Sequence, residues 1–136
     1  MMIQTYLTFE GRCEEAVEFY KQALGAEVQM LMRYKDSPEP PPGCDSPQNA
    51  EKVMHAEFRV GETLLMASDG RCSGSPTFQG FSLSIPATDV AEAEQYFTAL
   101  AEGGRVIMPL GKTFWSPAFG MLTDRFGVPW MVNVLA

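Results

Sequence analysis

The residues best suited to acid–base chemistry in this sequence are a histidine and a glutamate two positions apart. His55 is the only histidine of the 136 residues, and Glu57 follows it in a stretch that alternates polar and apolar side chains. Alternation of this kind predicts a β-strand, in which residues two apart project from the same face. A neighbouring imidazole and carboxylate can transfer protons as a hydrogen-bonded pair. The alternative interpretation is structural, with polar residues where a sheet meets solvent or a dimer partner.

A second group of candidate residues lies in the last third of the chain. Phe114, Trp115 and Phe119 supply aromatic surface, and Asn133 supplies an amide that can orient a ligand or serve the fold. Aromatic walls with few polar groups suit a planar or apolar small molecule. Trp115, in a predicted loop, is interpreted as a residue at the edge of a cleft or interface. Trp130 fits either that wall or the core.

Three further sets of residues favour structural roles. Arg59 shares the predicted face of His55 and could hold a carboxylate or phosphate, although a surface ion pair explains it equally. Asp69 and Asp124 adjoin glycine-containing turns and are interpreted as turn formers. Cys13, Cys44 and Cys72 form no CxxC motif and no Cys/His ligand pair, so we expect free thiols in a reducing compartment.

The elements that must position these residues follow from an internal repeat. Segments displaced by 76 positions share a strand followed by an amphipathic helix. The identical pairs are Leu7/Leu83, Glu18/Glu94, Tyr20/Tyr96, Ala23/Ala99 and Leu24/Leu100. Such a duplication predicts two similar modules, with the functional site expected in a cleft between them.

Local patterns predict where each element begins and ends. Module one spans 1–70, module two spans 76–136, and a proline-rich surface excursion without helix covers 35–50. The predicted strands are 3–9, 27–34, 53–60, 63–68, 81–85, 105–108, a loop and strand over 114–122, and 130–135. The predicted helices are 14–24, ending at Gly25, and 90–100, with Asp89 as N-cap. A turn is predicted over 109–112.

Composition limits the possible partners. A hydrophobic content of 46% supports a folded core, and the net charge of −7 argues against nucleic acid binding. The sequence contains neither a basic N-terminal region nor 18 consecutive apolar residues, so we expect no membrane partner and a cytoplasmic location.

Five motifs resemble a known family. They are YLTFEG at 6–11, EAVEFY at 15–20, MHAE at 54–57, FW at 114–115 and DRFGVPW at 124–130. Together they resemble the PhnB-like branch of the vicinal oxygen chelate superfamily, which includes glyoxalase I, extradiol dioxygenases and the bleomycin and fosfomycin resistance proteins. The resemblance implies an α+β fold in which two βαβββ modules form curved mixed sheets around a cleft. Members of this branch often carry a 3-demethylubiquinone methyltransferase label, but the sequence lacks the Gly-rich loop of a nucleotide-type cofactor site.

The resemblance also locates the positions that ligate metal in other members of the superfamily. Through the repeat these positions fall at or near Tyr6, Leu65, Ser82 and Met131. None is a His, Asp or Glu, so we expect neither a tightly bound metal nor another cofactor. A shift of one residue in the first strand would place Gln4 or Thr5 there instead.

The sequence therefore predicts a small-molecule-binding protein and, from the resistance proteins, a homodimer. The expected ligand-binding residues are Tyr6, Ser82, Phe114, Trp115, Phe119 and Asn133. The alternative is a lyase or isomerase that transfers protons on a small carbonyl compound through His55 and Glu57. A metal-dependent glyoxalase or dioxygenase is disfavoured by Leu65 and Met131.

Overall fold

The chain folds into two compact units. The structure is a computed structural model that describes residues 1–39, 44, 46–70, 72 and 75–135. Its units are Met1–Pro76 and Thr77–Ala136, here called the first and second modules. Parts of the predicted proline-rich excursion (40–43 and 45) and of the predicted linker between modules (71, 73 and 74) lie outside the described residues.

The first module is a four-stranded mixed sheet with one long helix. Its elements are β1 (Thr5–Thr8), α1 (Cys13–Leu24), β2 (Glu27–Arg33), β3 (Val53–Val60) and β4 (Thr63–Ser68). The strand order is β1-β4-β3-β2, with β1 parallel to β4 and the other pairs antiparallel.

The second module repeats this arrangement. Its elements are β5 (Leu83–Ala87), α2 (Val90–Ala101), β6 (Arg105–Gly111), β7 (Phe119–Thr123) and β8 (Pro129–Val134). The strand order is β5-β8-β7-β6, again with one parallel pair, β5 and β8. The predicted α+β class and the two βαβββ modules are therefore confirmed.

The apolar face of each helix determines which face of its sheet is covered. In the first module Tyr20 of α1 stacks on Phe58 of β3, with ring centroids 5.9 Å apart. In the second, a Cβ on Gly120 would lie 2.7 Å from the Phe97 ring of α2, so Gly120 faces that helix. We call the opposite side of each sheet its open face. Strand alternation places His55 and Glu57 together on the open face of the first module, because the neighbouring Phe58 lies on the helix-covered face.

The predicted bounds of the two helices agree with the structure to within one residue, and the predicted caps are present. Gly25 ends α1 in the left-handed conformation, with φ of 70°, where a side chain would be strained. The Asp89 carboxylate accepts a hydrogen bond from the Glu92 backbone N–H at 2.8 Å, which confirms the predicted N-cap of α2.

Two local predictions were wrong because tertiary position overrides local pattern. Pro109 was assigned to a turn, but β6 continues to Gly111. It can do so because β6 is an edge strand, where proline need not donate a ladder hydrogen bond. The excursion was predicted to lack helix, yet short 3₁₀ turns form at Tyr34–Asp36 and Pro47–Asn49.

The prediction of three free thiols was also wrong. Cys44 and Cys72 form a disulfide within a buried cluster that includes Tyr34 and is flanked by Met54. The pair is 28 residues apart and joins two loops, so only the folded chain brings it together. Cys13 is free and fully buried. Burial raises the pKa of its thiol well above the ordinary value, in keeping with the absence of a reactive cysteine there.

The two turn aspartates do more than form turns. Asp69 is buried, and its carboxylate accepts hydrogen bonds from the backbone N–H groups of Gly11 at 2.9 Å, Cys13 at 2.7 Å and Val53 at 2.7 Å. It thereby joins the start of α1 to the start of β3. Asp124 accepts the Trp130 indole N–H at 2.9 Å, which assigns buried Trp130 to the core.

Candidate functional site

The open face of the first module carries a chain of three hydrogen-bonded side chains. The Tyr6 hydroxyl lies 3.0 Å from His55 Nδ1, and His55 Nε2 lies 3.0 Å from Glu57 Oε2. A carboxylate only accepts, so Nε2 carries a proton and, in the neutral ring, Nδ1 accepts the Tyr6 hydroxyl proton. Both ring nitrogens are therefore engaged and the imidazole is fixed in one tautomer. We call these three residues the polar chain.

Strand register explains why residues distant in sequence meet here. Tyr6 of β1 pairs with Met66 of β4, and Met66 pairs with Glu57 of β3. The three side chains therefore share one face, and the long tyrosine crosses β4 to reach His55 on β3. Leu65, at or near which the resemblance places a metal-ligand position, pairs with Phe58 on the helix-covered face. Met66 is the open-face neighbour.

The polar chain is partly accessible. Tyr6 is 46% exposed, while the side chains of His55 and Glu57 are 24% and 32% exposed. Partial burial strengthens the hydrogen bonds that hold the imidazole, and the exposed phenol can still be reached by a ligand. Tyr6 was predicted as a ligand residue without this partnership, because spacing alone does not show which strand lies beside β1.

Arg59 extends the row of polar residues on β3. It is exposed, lies two positions beyond Glu57 and pairs in register with Glu27 of β2. Among the described residues it has no ion pair within 4.0 Å, so the predicted alternative of a surface ion pair is not seen there. Its guanidinium remains a candidate anchor for an anionic group.

The second module carries an aromatic cluster on its open face. The ring centroids of Phe114 and Trp115 are 4.8 Å apart and those of Trp115 and Phe119 are 5.4 Å apart, both edge to face. Phe114 is 97% exposed and Trp115 is 49% exposed. We call these three residues the aromatic step. Exposed rings offer a surface on which a planar molecule can stack.

Ser116, which sequence reasoning missed, anchors the loop of the aromatic step. Its buried hydroxyl lies 2.6 Å from the Val134 carbonyl oxygen and 2.8 Å from that of Ala118. The Thr113 hydroxyl also accepts the Ser116 backbone N–H at 3.0 Å. The loop is thus tied to β8, which positions Trp115. A serine among loop residues gives no sequence signal for such a role.

Asn133 lies beside the aromatic step. It pairs in register with Phe119 on β7 and with Pro86 on β5. Its Oδ1 atom is buried and has no hydrogen-bond partner among the described residues. Ser82 is not brought to this place, since it precedes β5 by one residue and lies about 13 Å along the strand from Pro86.

No cluster of metal-binding side chains and no membrane-spanning helix occurs in the part of the chain that the structure describes. Within it, no three His, Cys, Asp or Glu side chains group closely enough to hold a metal ion. Neither of its long helices has the length and apolar character needed to cross a membrane.

Two open-faced βαβββ modules define a protein of the glyoxalase fold, and comparison with known proteins identifies its family. Residues 1–133 match the family described as 3-demethylubiquinone-9 3-methyltransferase. The chain belongs to this family, the PhnB-like branch of the vicinal oxygen chelate superfamily.

Individual relatives match along nearly their whole length. Protein YjdN of Escherichia coli (strain K12) is 35% identical, with 99% of this chain and 96% of YjdN covered. The crystal structure of PA1353 from Pseudomonas aeruginosa is 46% identical, with a TM-score of 0.87 and coverage of 99% and 98%. A PhnB protein from Bacillus cereus is 32% identical, with a TM-score of 0.82 and coverage of 98% and 99%.

Proposed function

We propose that this protein binds a small organic molecule on the open face of its first module. The observation that carries the proposal is the polar chain Tyr6–His55–Glu57, in which three side chains from two strands are fixed by hydrogen bonds on a face that α1 leaves open. Pockets for small molecules combine apolar surface with a few polar groups of defined orientation. Met66, between Tyr6 and Glu57, supplies apolar surface within this row.

The polar chain and Arg59 determine which chemical groups of a ligand can be bound. The Tyr6 hydroxyl donates its single proton to His55, so its free lone pair accepts from a ligand O–H or N–H. Exposed Arg59 can bind a carboxylate or another anionic group at the end of the row. A hydroxy or enolisable carbonyl compound satisfies these groups, as does an acid of similar size. We also propose a cytoplasmic homodimer, a site without a tightly bound metal and, on the second module, separate ligand contacts by Phe114, Trp115, Phe119 and Asn133.

Calorimetric titration with a panel of small carbonyl and aromatic compounds tests the proposal. Glu57→Gln removes the charge that holds the His55 N–H, and we expect it to weaken the best ligand about tenfold. Glu62→Gln, the same change in the turn between β3 and β4, is the matched control and should leave affinity unchanged. Equal affinities for the parent and both variants, or no binding by any compound, would reject the site.

The second candidate function is proton transfer in a lyase or isomerase, which the hydrogen-bond continuity of the chain favours. The proton of a substrate C–H beside a carbonyl passes to the Tyr6 oxygen while the Tyr6 proton passes to His55 Nδ1, and the C–H electron pair stays on the substrate as an enolate. The resulting imidazolium is stabilised by the Glu57 carboxylate. The substrate thus loses one proton and His55 gains one.

Exchange of a ligand C–H with D₂O distinguishes a protein that catalyses proton transfer from one that only binds the ligand. If protons are transferred, the C–H beside the carbonyl of a bound ketone such as hydroxyacetone should exchange with D₂O faster with the parent than with Tyr6→Phe or His55→Ala. A binder without catalysis gives the same slow exchange for all three proteins while retaining calorimetric binding.

A further inference from the structure

We infer that Asn133 and the aromatic step form a subsite for a planar, conjugated ligand that bears an N–H or O–H donor. The inference goes beyond the proposed function, because it concerns the second module alone and names the chemistry of a group that this module would bind. The ring would stack against Trp115 and Phe119, and the donor would bond Asn133 Oδ1.

The unpaired oxygen is the first observation. Asn133 Oδ1 is buried and without a hydrogen-bond partner among the described residues. A buried acceptor without a partner costs about 1–3 kcal/mol, and that cost is already present in the ligand-free chain. A donor that reaches this oxygen therefore gains a hydrogen bond without a further desolvation penalty on the protein side. Asn133 Oδ1 therefore favours a ligand with a hydrogen-bond donor over the same ligand without one.

The position of the oxygen beside aromatic rings is the second observation. Asn133 and Phe119 are register partners on adjacent antiparallel strands, so their Cβ atoms lie about 5 Å apart on the open face. Trp115 contacts Phe119 edge to face at 5.4 Å. A donor within a ring system can meet the amide while the ring contacts these aromatic groups.

The loop that carries Trp115 is anchored by hydrogen bonds and leaves Trp115 partly exposed. Ser116 ties this loop to β8 through the Val134 carbonyl at 2.6 Å, so the rings are held before a ligand arrives. Trp115 is nonetheless 49% exposed, so part of its indole surface is open to a ligand. Pro86, the other register partner of Asn133, has no N–H and cannot satisfy the oxygen in the ligand's place.

A matched pair of neutral probes tests the inference by ¹H–¹⁵N nuclear magnetic resonance. Indole carries the ring donor, whereas 1-methylindole has a similar ring and no donor. We expect indole to bind about tenfold more tightly, since one hydrogen bond to a buried acceptor distinguishes the two. Indole should shift the Trp115 indole and Asn133 amide signals. The Trp130 indole, held by Asp124, serves as an internal reference.

Two variants test whether the Asn133 amide causes the difference in affinity between indole and 1-methylindole. Asn133→Leu keeps a similar volume without the acceptor, so the ratio of the two affinities should fall to about one. Ser84→Ala, on the same face of β5, should retain the full ratio. Equal affinities in the parent protein, or a ratio that survives in Asn133→Leu, would overturn the inference.

The parent comparison needs no variant and so holds even if Asn133→Leu fails to fold. Absence of any shift in the Trp115 signal with either probe would equally overturn the subsite. The proposed function is tested separately, because ligand binding that depends on Glu57 at the polar chain can persist when donor discrimination at Asn133 is absent.

Discussion

At the scale of single residues, buried carboxylates and cysteines determine more of this structure than their sequence context suggests. Asp69 has one oxygen shared by two backbone N–H groups, those of Gly11 and Cys13, and a second oxygen bound to that of Val53. Hydrogen bonds to an ionised acceptor are stronger than those between neutral groups. Asp69 therefore stabilises the junction between α1 and β3 from the interior.

Replacing Asp69 by asparagine should destabilise the protein by about 3 kcal/mol, because the new amide would point an N–H group at the Val53 N–H and leave both without an acceptor. Urea unfolding measures the change. Asp89→Asn is the matched control, since asparagine caps helices as well as aspartate does and the expected loss is below about 0.5 kcal/mol. Equal losses for the two variants would contradict the role assigned to Asp69.

Thiol titration tests the assignment of the cysteines. The native protein should release no reactive thiol, because Cys13 is buried with a raised pKa and the other two cysteines are paired. Unfolding without reductant should expose only the Cys13 thiol, and unfolding with reductant should expose all three cysteines of the chain. Rapid reaction of two thiols in the unreduced native protein would contradict the disulfide.

At the scale of elements, the internal repeat explains why so much of the fold could be predicted. A local pattern defines an amphipathic strand or helix, and the repeat shows that two modules share one topology. The bounds of β3 and β4 agree with prediction to the residue. Those of β5 and β6 do not, because exposed edge strands carry weak alternation and tolerate a proline such as Pro109.

The candidate site could be predicted only in part. Alternation placed His55 and Glu57 together on one face, since residues two apart in a strand always share it. The other features of the site depend on which strands pair and in what register. They are the contact of Tyr6 with His55, the position of Leu65 on the helix-covered face and the distance of Ser82 from Asn133. One sequence contains little information on register, because a shift of one residue changes every partner.

The edge strands β2 and β6, which follow the helices α1 and α2, carry the same apolar residue types at a displacement of 78 positions, two more than in the preceding part of the repeat. Val28 and Met30 of β2, and Val106 and Met108 of β6, are exposed. Exposed apolar edges favour pairing with another chain, so we expect a symmetric dimer at micromolar concentration. Sedimentation analysis should show a dimer that Met108→Lys weakens, whereas a charge at exposed Phe114 (Phe114→Lys) should leave it intact. A parent protein that is entirely monomeric would contradict this expectation.

At the scale of the whole molecule, the residues available on the open faces favour recognition without a metal. Paired positions on the parallel strand pairs β1–β4 and β5–β8 are Tyr6 with Met66 and Ser84 with Met131, which lack imidazole and carboxylate groups. His55 and Glu57 bind each other instead. Elemental analysis after dialysis should therefore find well under one equivalent of zinc, nickel, manganese or iron. A stoichiometric metal retained by the parent protein would overturn the expectation.

The most direct test of small-molecule binding at the polar chain uses the single histidine as its own reporter. His55 gives the only imidazole ¹⁵N signals of the protein, and these signals distinguish the two tautomers and the charged form. During titration with a ligand selected by calorimetry, the account predicts saturable shifts of both ring nitrogens with the calorimetric affinity. In Tyr6→Phe these shifts should follow a weaker binding curve. Imidazole signals that stay unchanged through ligand saturation would contradict binding at this site.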